Sequence, residues 1–394
     1  MMKLSDYVDI NPKTQLSKDA QVPFVGMDAI TAGRRKVTAN ERREAKGSGA
    51  KFLPGDTLFA RITPCLENGK IAQFSDKEAG LGSTEFFVLR AKPNVSDQDF
   101  VFYFALQEGL RSAAEKSMTG ASGRQRADVS ALKEFECEFP PLPTQRRIAS
   151  ILSAYDELIE NNQRRIRILE DMARSLYREW FVHFRYPGHE SVPLLDSPLG
   201  QIPQGWEVKK LGDLAEDMRR NIPKGKIDES QPYVGLEHIP RRSLALDSWE
   251  IASELGSNKL AFKNGEVLFG KIRPYFHKVI IAPFDGLCSA DTIVIRARQP
   301  EHYAIVVGCV SSDEFVAHAT ATSNGSKMPR ANWSVLEEYP VVIPTLAVAS
   351  QFSAVVESAI QQMQTLIFQT ANLRCTRDLL LPRLLSGQVN LVEA

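Results

Sequence analysis

The run from Pro143 to Trp180, PTQRRIASILSAYDELIENNQRRIRILEDMARSLYREW, limits the folds open to this chain more than any other stretch. Ile148, Leu152, Tyr155, Ile159, Asn162, Ile166, Leu169, Ala173, Leu176 and Trp180 are spaced by alternating steps of four and three, and nine of these ten are apolar or aromatic. No Gly or Pro interrupts them. This is a heptad seam, and it predicts one long helix that buries a stripe against another helix. At about 1.5 Å per residue the helix would span roughly 55 Å, too long for an element wrapped inside one small domain.

What precedes the helix returns, altered, after it. LysLeuSerAsp (3–6) is answered by LysLeuGlyAsp (210–213), and ProPheValGlyMet (23–27) by ProTyrValGlyLeu (232–236). The turn and alternating strand of 52–64 recur at 262–274. GlyLeuGlySerThrGluPhePheValLeuArgAlaLys (80–92) recurs at 286–298, and the Gly/Ser/Arg loop of 119–128 at 323–332. A second helix follows from about Thr345 to Leu381, with Phe352, Val356, Met363, Leu366, Leu373 and Leu380 in the same rhythm. Ala359 and Thr370 fill its gaps, Arg377 also falls on the seam, and Gly387 is a natural stop. The expected fold class is α+β: two pseudo-symmetric globular domains joined by two long antiparallel coiled-coil helices. The boundaries read as 1–142 for the first domain, 143–186 for the central spacer helix and 187–343 for the second domain, with 187–206 as its connector. Residues 344–394 form the second spacer helix and tail. Side-by-side packing of the copies, with no functional spacing, is the alternative arrangement.

Composition narrows the function. Lys plus Arg and Asp plus Glu are equal at 48 each, so a globally basic surface is excluded, while a basic face balanced by acidic ones is not. No run of eighteen apolar residues is present, which predicts no membrane span. The N-terminal MMKLSDYVDINP lacks the apolar core of a signal peptide. The five cysteines, Cys65, Cys137, Cys288, Cys309 and Cys375, are scattered without CxxC spacing, which points to a reducing cytoplasm and away from a disulfide framework or zinc site.

Catalytic motifs are missing from the sequence. There is no P-loop and no glycine-rich nucleotide fingerprint after a strand. PheProProLeu (139–142) shares only its prolines with a base-methylating AsnProProTyr-type motif, and the six histidines show neither HExxH nor a close ligand pair. The reading is a chain that binds and does not transform, with no cofactor and no metal of its own.

Polar and basic residues gather instead at turns and strand ends. In the first copy these are Arg34, Arg35, Arg61, Thr63, Lys70, Arg124, Gln125 and Arg126; in the second they are Arg241, Arg242, Lys271, Arg273, Tyr275, Lys278, Ser326, Lys327 and Arg330. Lys and Arg neutralise phosphates, and Arg and Gln also fork onto base edges in the major groove. A solvated charged surface is the plain alternative for any one of them. Recurrence favours the set: Arg61 and Lys271 hold the same repeat position, as do Arg126 and Arg330. Asn162 on the seam is a residue type that fixes register or partner orientation at a cost in stability, with simple tolerance by local packing as the plain alternative. Tyr177, Trp180, Phe181, Phe184 and Tyr186 form an aromatic cluster, read first as packing where helix meets domain and second as a protein-docking patch.

The layout resembles the specificity subunit of Type I restriction-modification enzymes. The resemblance rests on ProLeuProThrGlnArgArgIleAlaSerIleLeu (141–152), LeuTyrArgGluTrpPhe (176–181), GlyGlnIleProGlnGlyTrp (200–206) and LeuLeuProArgLeuLeuSerGly (380–387), each short, in this order around two repeats. It implies two target recognition domains that each read half of a split site in double-stranded DNA, and paired helices that act as a ruler. It also implies two methyltransferase (modification) subunits that carry S-adenosylmethionine and the catalysis, and motor-nuclease subunits that can join. The second helix begins ProThrLeuAlaValAlaSerGln and lacks the GlnArgArgIle run of the first, so the two docking surfaces need not be equivalent. A coiled-coil scaffold whose repeats bind proteins is the competing function, and an enzyme the third.

Overall fold

The fold, seen in a computed structural model, is described for residues 2–17, 20–46, 48–121, 123–325 and 327–389. Two compact units make it up: Met1–Ile159 with Leu373–Ala394, and Glu160–Asn372. Both are mixed α and β.

In the first unit a five-stranded sheet runs in the order Val8–Ile10, Phe86–Ala91, Thr57–Ala60, Ile71–Phe74, Lys36–Val37. A four-stranded sheet runs Glu41–Glu44, Gln21–Val25, Gly80–Gly82, Ala50–Phe52. Strand 57–60, ThrLeuPheAla, is buried along its whole length, which explains its nearly unbroken apolar sequence. Gly80 and Gly82 are required where the two sheets meet the Phe52 ring: a Cβ at Gly80 would lie 2.4 Å from it.

The second unit repeats this plan. A four-stranded sheet runs Ala215–Asp217, Thr292–Ala297, Val267–Gly270, Val279–Ile281. A five-stranded one runs Arg220–Ile222, Lys259–Phe262, Gly286–Ser289, Pro232–Val234, Glu250–Ile251. Each copy pairs one strand in parallel at the matching place, Gln21–Val25 with Gly80–Gly82 and Pro232–Val234 with Gly286–Ser289. Each copy also opens on a one-turn helix closed by its own aspartate. The Lys3 amide donates to Asp6 at 2.8 Å, and the Lys210 amide to Asp213 at 3.0 Å. The hairpin of Leu194–Ser197 and Gly200–Pro203 lies in the expected connector.

The first long helix spans Leu142–Tyr177 and passes into a π-helical turn over Arg178–Val182. The second spans Leu346–Leu385. Within the first unit Ile148, Ala149 and Leu152 pack in one core with Leu380, Leu381 and Leu384. Within the second, Ile166 packs with Leu366 and Ile367, and Trp180 lies 5.6 Å from Phe352. In each unit, ascending positions on one helix therefore meet descending positions on the other, which is antiparallel pairing. The expected seam residues Ile148, Leu152, Ile159, Asn162, Ile166, Phe352, Val356, Met363 and Leu366 are buried. Tyr155, Leu169, Leu176, Leu373 and Leu380 are partly buried.

Two sequence expectations change. The second helix does not stop near Leu381; it runs through Pro382 to Leu385. Proline is tolerated there because Leu384, 3% exposed, is held in the core of the first unit. Gly387, at φ +72°, then takes the left-handed terminating position and donates to the Leu384 carbonyl. Arg377 is not a flaw in the seam: it is buried and ion-paired to Asp156 at 2.5 Å. The aromatic cluster packs as core. Tyr177 stacks on Phe181 at 5.1 Å, Phe181 meets Phe352 at 4.8 Å, and the Tyr177 ring lies where a Cβ on Gly308 would be.

Candidate nucleic-acid interfaces

In each unit three loops converge beside the fully buried strand, 57–60 in one and 267–270 in the other. The repeat is exact enough to be followed bond by bond. The Arg61 amide donates to the Glu85 carbonyl and the Ala127 amide to the Arg61 carbonyl; the Lys271 amide donates to Asp291 and the Ala331 amide to Lys271. Arg126 bridges to Ile62 and Thr119, as Arg330 bridges to Ile272 and Asn324. The Thr63 amide donates to the Gln125 carbonyl, and the Arg273 amide to Pro329. The Lys70 ammonium donates to the Met27 carbonyl at 2.8 Å, and the Lys278 ammonium to the equivalent Leu236 carbonyl. Burial, and then the nearby Arg241, holds the Lys278 ammonium below the usual lysine pKa.

The cations at this convergence are held in two ways. Arg126 lies bidentate on Glu85 at 2.7–2.9 Å, and Arg330 faces Asp291 at 3.5 Å. Arg61 rests 4.8 Å over the Phe87 ring, and Arg241 4.0 Å over Phe276. Such stacking leaves guanidinium N–H groups able to meet a phosphate or a base, although one arm of Arg61 is taken, its Nη2 donating to the Ala127 carbonyl at 3.1 Å. The Nε of Arg61 and of Arg273 are buried donors with no protein partner. Arg124, Lys327 and Tyr275 are exposed, and Lys271 and Gln125 are half-buried. Arg34 is exposed on the neighbouring loop. Ser326 lies outside the described residues.

The sequence of this chain matches the family profile described as "Type I restriction modification DNA specificity domain" over residues 1–171 and again over 203–367. The chain belongs to that family. A Type I restriction enzyme specificity subunit, MjaIX of Methanocaldococcus jannaschii, is 27% identical over 301 residues, covering 74% of this chain and 69% of the relative. The HindI specificity subunit of Haemophilus influenzae is 20% identical over 88% of this chain and 89% of its own length. A crystal structure of the S subunit of a Type I restriction-modification system from M. genitalium aligns over 97% of this chain and 95% of that one. Its TM-score is 0.54 at 14% identity, a likeness of fold alone. The two profile matches fall on the two copies whose loops are described above.

Within this family member two candidate residues are not open to a ligand. Arg35 is 6% exposed. Its guanidinium donates to Gln73 at 3.1 Å and Ser153 at 2.5 Å and pairs with Asp99 at 2.7 Å. Its carbonyl accepts from the Gln73 amide as that of Leu244 accepts from Ile281, so Arg35 stands where the other copy has a core leucine. Thr63 is buried, and its hydroxyl accepts the Gln125 amide at 3.1 Å. The two ArgArg pairs are also not equivalent, because the left-handed residue after buried Ile30 is Gly33, and after buried Ile239 it is Arg242. Arg242 donates to Asp313 at 2.8 Å.

Sequence reasoning missed other residues that shape the site. Met328, 49% exposed, takes the place before Pro329 that Arg124 takes before Gln125. Its only sequence signal was a methionine in a Gly/Ser/Arg loop. Glu170 on the first long helix is buried and accepts from the amides of Leu244 and Ala245 and from the Ser243 hydroxyl, at 2.6–3.0 Å. Among the described residues no helix is long and apolar enough to cross a membrane.

Proposed function

We propose that this chain is the DNA-specificity subunit of a Type I restriction-modification complex. Its two recognition domains read the two halves of a bipartite, asymmetric site in double-stranded DNA, and the long helices set the distance between the halves. The chain carries no catalytic group of its own. Two methyltransferase subunits dock on the helices and bring S-adenosylmethionine, motor-nuclease subunits can join, and the assembly works in the cytoplasm.

One observation carries the reading: the same bridged loop, with a cation at the same two positions, is built twice on different residues at its tip. Arg124 and Gln125 offer forked donors to purine edges, whereas Met328 offers an apolar contact of the kind a thymine methyl takes. Equal scaffolds with unequal tips are what a reader of two different half-sites needs. A protein-binding scaffold leaves the recurrent cations without a role.

The test is methylome sequencing of a host that expresses the chain with its methyltransferase partner. An interrupted, asymmetric motif is expected. Methyl transfer by the purified chain alone, given S-adenosylmethionine and DNA, would overturn the non-catalytic assignment.

A further inference from the structure

Arg174 and Arg377 lie near corresponding points of the two helices, within AlaArgSerLeuTyr (173–177) and ThrArgAspLeuLeu (376–380), with Arg377 at the seam position of Ala173 and Arg174 one residue further on. Each reaches a recognition-domain loop, and each stops at the same atom of it. Arg377 Nη1 donates to the Gly33 carbonyl at 3.3 Å, and Arg174 Nη2 donates to the Arg242 carbonyl at 2.8 Å. Gly33 and Arg242 are the equivalent left-handed residues, at φ +77° and +56°. That conformation is costly for a residue with a Cβ and persists only where neighbours over-determine it. At Arg242 they do: its amide donates to the His277 carbonyl, its side chain to Asp313, and its carbonyl accepts from Arg174.

The rest of each loop is docked by unlike chemistry. In one copy Arg35 reaches Ser153 on the first helix; in the other Glu170 on that helix accepts the loop amides. Among these described contacts, the helix arginine is the one common to both. Each arginine is also steadied by a carboxylate on the helices. Asp156 lies 2.5 Å from Arg377, and Glu170 lies 3.8 Å from Arg174. A feature that recurs where its surroundings have diverged points to a shared requirement of the two loops.

From this recurrence we infer that Arg174 and Arg377 are positioning residues that latch one basic loop in each unit to the helix pair, and so fix the aim of that unit's DNA-reading residues. The inference rests on the DNA-recognition reading above. The latched loop carries Arg34 in one copy and Arg241 in the other, and it lies one strand from the lysine that closes the interface, Lys70 or Lys278. The latch for the second domain comes from the helix that follows the first domain, and the reverse. Each half-site reader is thereby set by the helix belonging to the other copy.

The experiment compares Arg174→Met, Arg174→Lys and Arg377→Lys with the unaltered chain, each assembled with its methyltransferase partner, by selection from a randomised duplex library. Arg174→Met should lower base discrimination at one half-site by roughly tenfold, the scale of a single lost base contact. The other half-site should be unchanged, and Arg174→Lys, which keeps a donor, should restore most of the loss. Arg377→Lys, which shortens the fork without leaving Asp156 unpaired, should loosen the opposite half-site. Equal loss at both half-sites, or unchanged discrimination with Arg174→Met, would overturn the latch. A global fold defect lowers total binding without moving preference at one half alone, so it is told apart. Failure of the unaltered chain to select any interrupted sequence would instead overturn the DNA-recognition reading itself.

Discussion

At the scale of single residues, charge alone does not identify a ligand contact. Arg34 and Arg35 are adjacent arginines, yet one is exposed and the other fills a core position. Arg124→Ala should reduce the slope of log affinity for duplex DNA against log salt by about one, because an exposed cation is removed. Arg35→Met should leave that slope alone and destabilise the chain by about 3 kcal/mol, since its carboxylate and amide partners lose a buried donor. Urea unfolding and salt titration separate the two outcomes. Asp99 gives a pH signature. Burial alone would raise its carboxyl, but hydrogen bonds from Gln73 and Arg35 hold it below the ordinary aspartate value. A depressed folded pKa means the stabilisation is present above the unfolded value, about 3.9, and is lost as pH falls through the folded one. Acid unfolding monitored below about pH 4 should therefore shift less in Asp99→Asn than in the unaltered chain. None of this was legible in the sequence, where Arg35 reads as one more basic loop residue. Its burial depends on Ser153, 118 positions away.

At the scale of elements, the helices were legible and their polar contacts were not. Heptad spacing gives Ile148, Leu152, Ile159, Ile166, Met363 and Leu366 as seam residues, and each is buried. The same spacing cannot show that Asp156, Gln163 and Glu170, each next to a seam position, are buried as well. They are, because the helices also pack against the domains, so the covered stripe is wider than the seam between two helices. Asn162 belongs to this wider polar layer, with Gln163 and Thr370 buried in the same unit. The pairing also sharpens what a change of ruler length requires. Asp156 faces Arg377 and Ile166 faces Ile367, so an insertion in one helix alone would break every contact beyond it. A heptad placed between Ile159 and Ile166, matched by one between Ile367 and Leu373, keeps both seams in phase. The matched insertion lengthens the pair by about 10 Å, or about three base pairs. Methylome sequencing should show the non-specific spacer longer by about three with both half-sites intact; an altered half-site at unchanged spacing would contradict the ruler.

At the scale of the whole molecule, a chain of zero net charge binds a polyanion only through local fields, and here those fields are built twice on one scaffold. The repeat was readable from short answering segments, and the bonds at Arg61 and Lys271, or Arg126 and Arg330, reproduce it atom by atom. Which stretch of each helix packs with which domain was not readable, because partners such as Asp156 and Arg377 are 221 residues apart. The central claim is that the two domains read different sequences on one strut. Replacing residues 1–142 with a second copy of the recognition domain at 207–343, and sequencing the methylome of a host that carries this chain with its methyltransferase partner, tests that claim most directly. The account predicts that the asymmetric, interrupted motif becomes a palindrome built from one half-site, with its spacer kept. An unchanged asymmetric motif, or methylation without sequence preference, would contradict it.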